Sequence, residues 1–538
     1  MRERLAVGVL LFILTLLAGW PFLATVNVAR RGEREAGAGL LSPVSDSGSG
    51  LRRPLALAGE TTRLVAATAL LAVPVGTLLG FLLFRTDLAA KGVALVILGL
   101  AAFVPLPLHA GAWLGALGNA GRAQALGLNI PPLLVGWPGA AVVHALAALP
   151  WVVLITGVGF RLVEPELEEL ARLDLPAFQA VWAVTFRRNL AAIAAAALAV
   201  AVLTASDMTV TDLLQVRTYA EEAYLQYNLG NGPSAAAAVA LPPLLVLGSL
   251  IFAAGWTLGR VEPNRWLSAR NQPSLWRLGA WRIPLGLATL VFIGLFAGFP
   301  VASLVWRAGR VGGLAHLRQP PRWSAAGLAG SLRLAWDDSR DALLWSVLWA
   351  LAAALIAVAV AWSLAWLCRR QAGWRILSAI LLALTLATPG PVAGFALVYA
   401  YRSWGWLYDS AWMIVLAMTL RTLPYAFLLV WPAVRGLPQE LFDSATLDGL
   451  LPFDQAWRIA WPLSRSGITA AFAASFTPLG ELPATNLVTP PGCTPLSVVI
   501  WGLLHTGVES HTAGVVLIQL AAVACAGLFT LMMLRRVH

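Results

Sequence analysis

Long apolar segments with almost no charge recur along the whole of this chain, and they limit what it can fold into. A hydrocarbon core about 30 Å thick is crossed by about 20 apolar residues of helix. Only 12% of the 538 residues are charged, and 59% are hydrophobic. Soluble domains carry about a quarter charged residues, and water does not tolerate so large an apolar surface. The sequence therefore predicts an all-α, polytopic protein embedded in the lipid bilayer.

About twelve segments reach the length that a membrane-spanning helix needs. The first is longer than the apolar region of a cleaved signal peptide, so we interpret it as an uncleaved span. An even number of spans puts both termini on one side, and placing that side in the cytoplasm puts the larger share of the loop arginines inside. We therefore expect a multi-pass protein of the cytoplasmic (inner) membrane with both termini in the cytoplasm. The predicted spans are 5–28, 57–84, 92–114, 137–160, 190–206, 234–259, 283–306, 341–367, 377–400, 412–434, 467–482 and 511–534.

The net charge of +11 does not indicate a nucleic-acid partner. The cations lie in short stretches between apolar segments and form no basic domain. The cysteines, Cys368, Cys493 and Cys525, are far apart and have no metal-ligand spacing. His505 and His511 bracket a predicted outer loop, but no third ligand is near them in the sequence. We therefore predict no metal site.

The chain contains an internal repeat. Glu166 recurs as Glu440 at an offset of 274 residues, and Trp182 recurs as Trp457 at an offset of 275. Each copy follows the fourth predicted span of its half, which indicates two six-span halves in the same orientation. Parallel halves of this kind can enclose a central pathway. The predicted units are an N-terminal half 1–259, a cytoplasmic linker 260–282 and a C-terminal half 283–538.

The loop 438–466 is the most informative segment of the sequence. Pro438 and Glu440 suit the start of a helix, where an acid is favoured by the helix dipole. Gly449 can supply the left-handed residue that ends this helix. Pro462 stands where the next span begins, a position that loses little by lacking an N–H. The pattern predicts two short helices around a glycine, which a soluble partner could grip as a rigid lever.

This loop resembles the EAA loop of binding-protein-dependent ABC importer permeases of type I. The pattern of that family is E-A-A, three residues, G, nine residues, I, any residue, L, P. Here the chain reads D-S-A, three residues, G, nine residues, I-A-W-P, so the spacing is kept throughout. The residues that we assign to the predicted coupling loop are Glu440, Asp443, Ser444, Ala445, Gly449, Ile459 and Pro462.

The loop of the first half, 164–189, is a less complete copy. It keeps Glu169 and Ala171 but has Leu175 in place of the glycine and Arg187 in place of the proline. An amphipathic helix that only stabilises the bundle is the alternative to a second coupling loop.

The resemblance implies that each loop docks into a separate ATPase subunit, two copies in all, and that an extracytoplasmic solute-binding protein delivers the solute. ATP and Mg²⁺ would then be held by the partner ATPase. A Walker A loop needs Gly-Lys-[Ser/Thr], and the only lysine, Lys91, stands between Ala90 and Gly92. We therefore expect a transport subunit without a cofactor or catalytic residues of its own, which works by alternating access.

A narrower resemblance concerns the segment from Leu479 to Thr485, followed by Pro490-Pro491-Gly492. It is similar to the segment after the fifth span of the ferric-iron class of these permeases, in which both halves are often fused. Thiamine permeases, also fused, are the alternative. The corresponding segment of the first half is 206–212. The candidate pathway residues are Glu481, Pro483, Thr485, Asp207, Thr209 and Thr211.

These pathway candidates have two interpretations. A carboxylate at the end of an apolar span is costly in lipid, so Glu481 and Asp207 should face the bundle interior or its outer mouth. There they would attract a cation, or they would accept N–H bonds from a broken helix. Arg421, inside the tenth predicted span, is expected to pair internally or to extend to the interface.

Two other classes of membrane protein fit part of the pattern. A secondary transporter of the major-facilitator kind also has parallel six-span halves, but it has a glycine- and arginine-rich loop where this chain has only 85–91. A membrane-embedded glycosyl- or acyltransferase needs acids that converge on the outer face. The loop 29–56 offers Glu33, Glu35 and Asp46 alone.

Overall fold

A computed structural model shows an all-α, multi-pass membrane protein. The structure describes residues 2–21, 23–24, 26–27, 52–118, 133–228, 244–254, 275–312, 322–476, 481–506 and 509–537. Within these ranges the strands are β1 (Arg310–Val311) and β2 (Arg322–Trp323), which form one small antiparallel hairpin.

The N-terminal part of the described chain consists of α-helices joined by short turns, with one turn of π-helix at Thr15–Gly19 and another at Val181–Phe186. Its helices are α1 (Arg2–Leu14), α2 (Arg52–Arg85), α3 (Lys91–Ala101), α4 (Leu106–Leu117), α5 (Gly136–Arg161), α6 (Pro165–Asp174), α7 (Ala177–Ala180), α8 (Leu190–Ala205), α9 (Thr209–Leu213), α10 (Tyr219–Asn228) and α11 (Leu244–Ala254).

The C-terminal part repeats this order of elements, with further π-helical turns at Gly294–Gly298 and Ala456–Ala460. Its helices are α12 (Arg282–Ile293), α13 (Phe299–Ala308), α14 (Ala325–Arg370), α15 (Ala372–Ala387), α16 (Gly390–Tyr401), α17 (Gly405–Tyr408), α18 (Trp412–Arg435), α19 (Gln439–Leu447), α20 (Pro452–Gln455), α21 (Trp461–Leu463), α22 (Arg465–Ser475), α23 (Thr485–Val488), α24 (Leu496–Thr506) and α25 (Glu509–Val537).

Six helices among the described residues are long and apolar enough to cross a membrane. Each coincides with one predicted span, because a long apolar run in lipid can satisfy its backbone only as a helix. The six are Ala56–Arg85, Gly136–Arg161, Gly279–Ala308, Ala325–Arg370, Trp412–Arg435 and Ser510–Phe529. The fourth, α14, begins well before the predicted span 341–367 because Ser324 caps it, accepting a 2.9 Å hydrogen bond from the Gly327 N–H.

Two predicted spans, 92–114 and 377–400, are bent helix pairs and not straight helices, and they turn by 105° and 109°. The predicted span 190–206 is the single helix α8, which meets the preceding helical segment Ala177–Phe186 at 60°. Pro105 and Pro389 stand at the two sharp bends in extended backbone, directly before α4 and α16. Proline lacks an N–H and ends the preceding helix. The apolar composition alone did not reveal these two bends.

The described residues thus contain six candidate spans, or nine if each bent pair is one span, against the twelve predicted. The described parts of the predicted spans 5–28, 234–259 and 467–482 are shorter helices: Val7–Gly19, Leu244–Ala254 and Arg465–Ser475. Residues 260–274 of the predicted linker lie outside the described part of the chain, and its end, Gly279–Trp281, already forms a helical turn.

The first helix of each part packs against the other part. Leu10 and Leu14 of α1 lie in an apolar cluster with residues of α14 and α18, and the Trp20 indole N–H donates a 2.9 Å bond to the Ala400 carbonyl. In the same way, the first span of the C-terminal part, Gly279–Ala308, packs on α4 through Leu304 of α13, which shares a cluster with Leu108. The two parts are therefore interlocked through exchanged first helices.

Candidate functional site

The predicted coupling loop of the C-terminal half folds as helix, glycine turn, helix. Pro438 precedes α19, and Glu440 lies in its first turn. At the other end Gly449 has φ +80°, and the Leu450 N–H donates a 2.9 Å bond back to the Ala445 carbonyl. This is the left-handed helix end that glycine allows without a steric penalty. A Cβ at Gly449 would meet nothing within 4 Å, so the backbone angle and not space requires glycine there.

The remaining assigned residues of this loop differ in their exposure to solvent. Asp443 and Ser444 are exposed, whereas Ala445 is buried. The Asp443 carboxylate accepts a 3.0 Å bond from the Gln439 amide, and the Ser444 hydroxyl donates 2.9 Å to the Glu440 carbonyl. Ile459 and Pro462 are half-buried in the segment that leads into α22.

The loop of the first half reaches the same shape without glycine. Helix α6 ends at Asp174, and Leu175 and Pro176 then run extended before α7 begins. Both residues have negative φ angles that any L-residue or proline adopts, so no left-handed position arises. Glu169 is exposed and Ala171 half-buried on α6. The missing glycine therefore changes the turn and not the helix–turn–helix arrangement.

Each loop presents large apolar side chains to its surroundings. We define the first coupling surface as Leu173, Phe178 and Trp182, and the second as Leu447, Leu451 and Trp457. Leu173 and Leu447, 274 residues apart, are 81% and 90% exposed. Charged residues stand next to three of these six side chains: Arg172 and Asp174 beside Leu173, Asp448 beside Leu447, and Arg458 beside Trp457. Exposed apolar patches with a polar rim are typical of protein interaction sites.

The inward faces of α6 and α19 are fastened differently. Glu168 of α6 forms a fully buried ion pair with Arg85 at the end of α2, and the Thr185 hydroxyl donates a 2.6 Å bond to the same carboxylate. At the position 274 residues later stands Phe442, whose ring centroid lies 5.5 Å from that of Trp366. The Arg369 guanidinium also lies over the Phe442 ring, with its central carbon 4.2 Å from the ring centroid.

The pathway candidates of the first half form a capped helix break after α8. Asp207 accepts hydrogen bonds from the Thr209 N–H at 3.0 Å, the Thr209 hydroxyl at 2.7 Å and the Val210 N–H at 2.9 Å. The Thr211 hydroxyl donates 3.1 Å to the Met208 carbonyl. His144 Nε2 lies 3.2 Å from the Asp207 carboxylate, and its Nδ1 lies 2.8 Å from the Ala140 carbonyl. His144 therefore links α5 to the carboxylate that caps the break.

The second half has a matching break. Glu481 accepts 3.0 Å bonds from the N–H groups of Ala484 and Thr485, and the Thr485 hydroxyl donates 2.6 Å to the Glu481 carbonyl. Arg421 Nε lies 3.9 Å from the carboxylate, so this arginine pairs internally. Pro483 packs on Gly390, where a Cβ would approach Pro483 Cβ to 2.3 Å. Both acids therefore stabilise broken helices; Leu479 and Gly480 lie outside the described residues.

The two breaks lie where the halves meet. The Gly390 N–H is 3.5 Å from the Ser206 carbonyl, and the Asn486 amide donates 3.3 Å to the Tyr224 hydroxyl. The Trp151 ring of α5 lies 6.4 Å from that of Tyr425 of α18.

Part of the C-terminal half matches a family of known proteins. Residues 357–537 match the family model described as binding-protein-dependent transport system inner membrane component. The matched segment is 181 of the 538 residues, and it contains the second coupling surface and the second helix break but no residue of the predicted N-terminal half. A search of curated proteins found no match.

Several residues near the two loops and the two helix breaks could not be recognised from the sequence as part of these sites. Arg85 is one of many cations at a span end, and Phe442 is one of many aromatics. Thr204 lies in the last turn of α8 and Ser475 is the last residue of α22, and their buried hydroxyls have no hydrogen-bond partner among the described residues.

The histidines of the predicted outer loop do not converge on one site. His505 Nε2 lies 3.0 Å from Asp212, and His511 Nε2 lies 2.9 Å from Asp338. Within the described ranges no group of three or more His, Cys, Asp or Glu side chains could hold a metal ion.

Proposed function

We propose that this chain is the transmembrane permease subunit of a binding-protein-dependent ABC importer. The observation that carries the proposal is the pair of exposed, equivalent coupling surfaces, the second of which lies in the matched segment. Each surface docks one copy of a cytoplasmic ATPase, and both chain termini lie on that same side. ATP and Mg²⁺ belong to the ATPase, so the chain carries no catalytic residue.

The attachment of the short helices supports a lever mechanism. Glu168 ties α6 to the end of α2, and Phe442 ties α19 to the end of α14 through Trp366. Closure of the ATPase pair would displace both helices together, and their buried contacts would carry the displacement into the long spans. ATP favours the outward-open state by binding it more tightly, and hydrolysis restores the other state.

The solute pathway in this proposal runs between the halves, past the two helix breaks. Asp207 and Glu481 stand at these breaks, and the buried hydroxyls of Thr204 and Ser475, near the ends of α8 and α22, have no partner among the described residues. Ferric iron, delivered by an extracytoplasmic solute-binding protein, is the proposed solute because of the resemblance around Glu481, and thiamine is the alternative.

The docking of the ATPase is tested by placing a negative charge on each apolar surface. Leu447→Glu and Leu173→Glu should each lower retention of the ATPase during purification about tenfold, since burial of a carboxylate opposes docking. Leu334→Glu is the matched control, because Leu334 is an exposed leucine of α14 outside both surfaces. Full retention in both surface variants would contradict the docking.

The transport reaction is tested in proteoliposomes. Uptake should require ATP, the ATPase and the binding protein, and the ligand held by the purified binding protein identifies the solute. Bound thiamine would replace ferric iron in the proposal. Uptake driven by an ion gradient alone would contradict the importer and favour a secondary transporter. The transferase interpretation rests on Glu33, Glu35 and Asp46, which lie outside the described residues.

A further inference from the structure

The end of the segment that joins the two halves is bound to the base of the first half. We define the linker strap as residues 275–282. Its Trp276 N–H donates a 2.8 Å bond to the Arg85 carbonyl, and the Trp276 carbonyl accepts a 3.3 Å bond from the Asp87 N–H. The Leu278 N–H donates 2.8 Å to the Asp87 carboxylate. The linker strap therefore adds a short stretch of backbone pairing to the turn between α2 and α3.

The Trp276 side chain reaches the first coupling helix. Its indole is 9% exposed, and the Arg172 guanidinium carbon lies 3.9 Å from the ring centroid. Arg172 stands in the last turn of α6, next to Leu173 of the first coupling surface. A cation stacked on a tryptophan face is the most favourable arrangement of its type. Trp276 thus lies between the α2–α3 turn and the C-terminal end of α6.

Within the described part of the chain, the second coupling helix is held without such a strap. Arg369 of its own half donates bonds of 2.9 and 3.0 Å to the carbonyls of Val434 and Leu437, which lead into α19, and the Gly449 turn closes the far end. Helix α6 has no glycine turn at its end and continues into extended Leu175 and Pro176. Its inward face is fixed by Glu168, whereas its end is fixed by the contact with Trp276.

We infer that the linker strap positions the first coupling surface for its partner, and that Trp276 is a positioning residue for that half alone. The inference rests on the proposed function, because it assigns the strap to ATPase docking on α6. The segment that joins the two halves then has a second role. Its end, the linker strap, holds the C-terminal end of α6, where the first loop lacks a glycine turn.

The test measures docking on each half separately in the assembled complex with its ATPase. The native cysteines are replaced by serine, and a single cysteine is introduced as Leu173→Cys or Leu447→Cys. A bifunctional maleimide then reports cross-linking to the ATPase. Trp276→Ala should lower the yield at position 173 about tenfold and leave the yield at 447 unchanged. Trp276→Phe, which keeps an aromatic face for Arg172, should restore most of the loss.

Two controls make the result specific. Trp281→Ala removes a tryptophan of the same linker strap that is 66% exposed, and it should change neither yield. Arg172→Gln removes the cation from the other side of the contact and should reproduce the effect of Trp276→Ala. Undiminished cross-linking at 173 in Trp276→Ala, or an equal loss at 173 and 447, would overturn the inference. Absence of cross-linking at both positions in the parent chain would overturn the proposed function itself.

Discussion

Glu168 and Phe442 occupy equivalent positions on the inward faces of α6 and α19, yet one is a buried carboxylate and the other an aromatic ring. The carboxylate needs Arg85 and Thr185 to offset its desolvation. The ring needs only apolar contact and the stacked Arg369. The two halves therefore use different chemistry at the same contact, and the ionic version is the more sensitive to loss of one partner.

Substitution of Glu168 tests this sensitivity. Glu168→Gln leaves Arg85 buried without its counter-charge and should destabilise the folded protein by about 3 kcal/mol. The thermal unfolding midpoint of the purified chain measures the effect. Glu169→Gln, an exposed neighbour on the same helix, should change stability by less than about 0.5 kcal/mol. Equal midpoints for the two variants would show that the buried pair contributes nothing.

A second residue-scale prediction concerns Glu221 in α10, outside the candidate spans. Burial, together with the nearby carboxylates of Asp212 and Glu222, raises the pKa of Glu221 to about 7 despite the opposing charge of Arg217. The folded state therefore favours the protonated acid. Its contribution to stability is full below about pH 4.5, the ordinary value, and is lost as the pH rises through 7.

Glu221→Gln keeps the side chain neutral and should remove this loss. We expect the variant to unfold at a higher temperature than the parent at pH 8 and at a similar temperature at pH 4.5. Glu440→Gln, on an exposed acid, serves as the control. If the midpoint of Glu221→Gln differed from that of the parent by the same amount at pH 4.5 and at pH 8, the raised pKa would be contradicted.

At the scale of elements, the two coupling loops show that one arrangement can be built with different turns. Gly449 closes α19 in a left-handed conformation, whereas Leu175 and Pro176 leave α6 in extended backbone. The bent helix pairs are similar: a proline stands at each sharp bend, and the second arm begins directly after it. Local backbone chemistry determines these turns, and packing then holds them.

Gly449→Ala tests the glycine turn. Because only φ is unfavourable for alanine and space is open, the substitution should cost about 1 kcal/mol and lower the stimulation of the partner ATPase. Gly373→Ala is the matched control, since Gly373 lies in helix α15 with open space around it and alanine favours helix. A neutral effect of Gly449→Ala on both stability and stimulation would contradict the requirement for a left-handed residue.

At the scale of the whole molecule, the halves are held together by exchanged first helices and by contacts at the helix breaks. Leu14 of α1 is 4% exposed in a cluster formed mostly by the C-terminal part. Leu304 of α13 makes the reciprocal contact with α4. The two parts are thus held together by contacts that run in both directions.

Leu14→Ala should therefore weaken the association of the halves. We expect a loss of about 2–4 kcal/mol, the range for a buried leucine in a packed cluster. Leu11→Ala, on the exposed face of the same helix, should have little effect. The thermal midpoint in detergent measures both, and a larger effect at Leu11 would show that lipid contact rather than the contact between halves decides stability.

Local features of the sequence determined much of this protein. The six long spans, the coupling loop around Gly449 and the paired acids near the breaks all follow from runs or motifs of fewer than thirty residues, whose physics is mostly local. The helix–turn–helix of the first loop was also recognisable, because its repeat spacing survives the loss of glycine.

Only the tertiary structure decided how these parts meet. The Arg85–Glu168 pair joins residues 83 apart, and the Trp20–Ala400 bond joins residues 380 apart. No short pattern encodes such partners, because in an apolar chain many residues are equally able to pack there. The exchanged first helices and the contact of the linker strap with α6 therefore emerged from packing, since each depends on which distant surface is available to bury it.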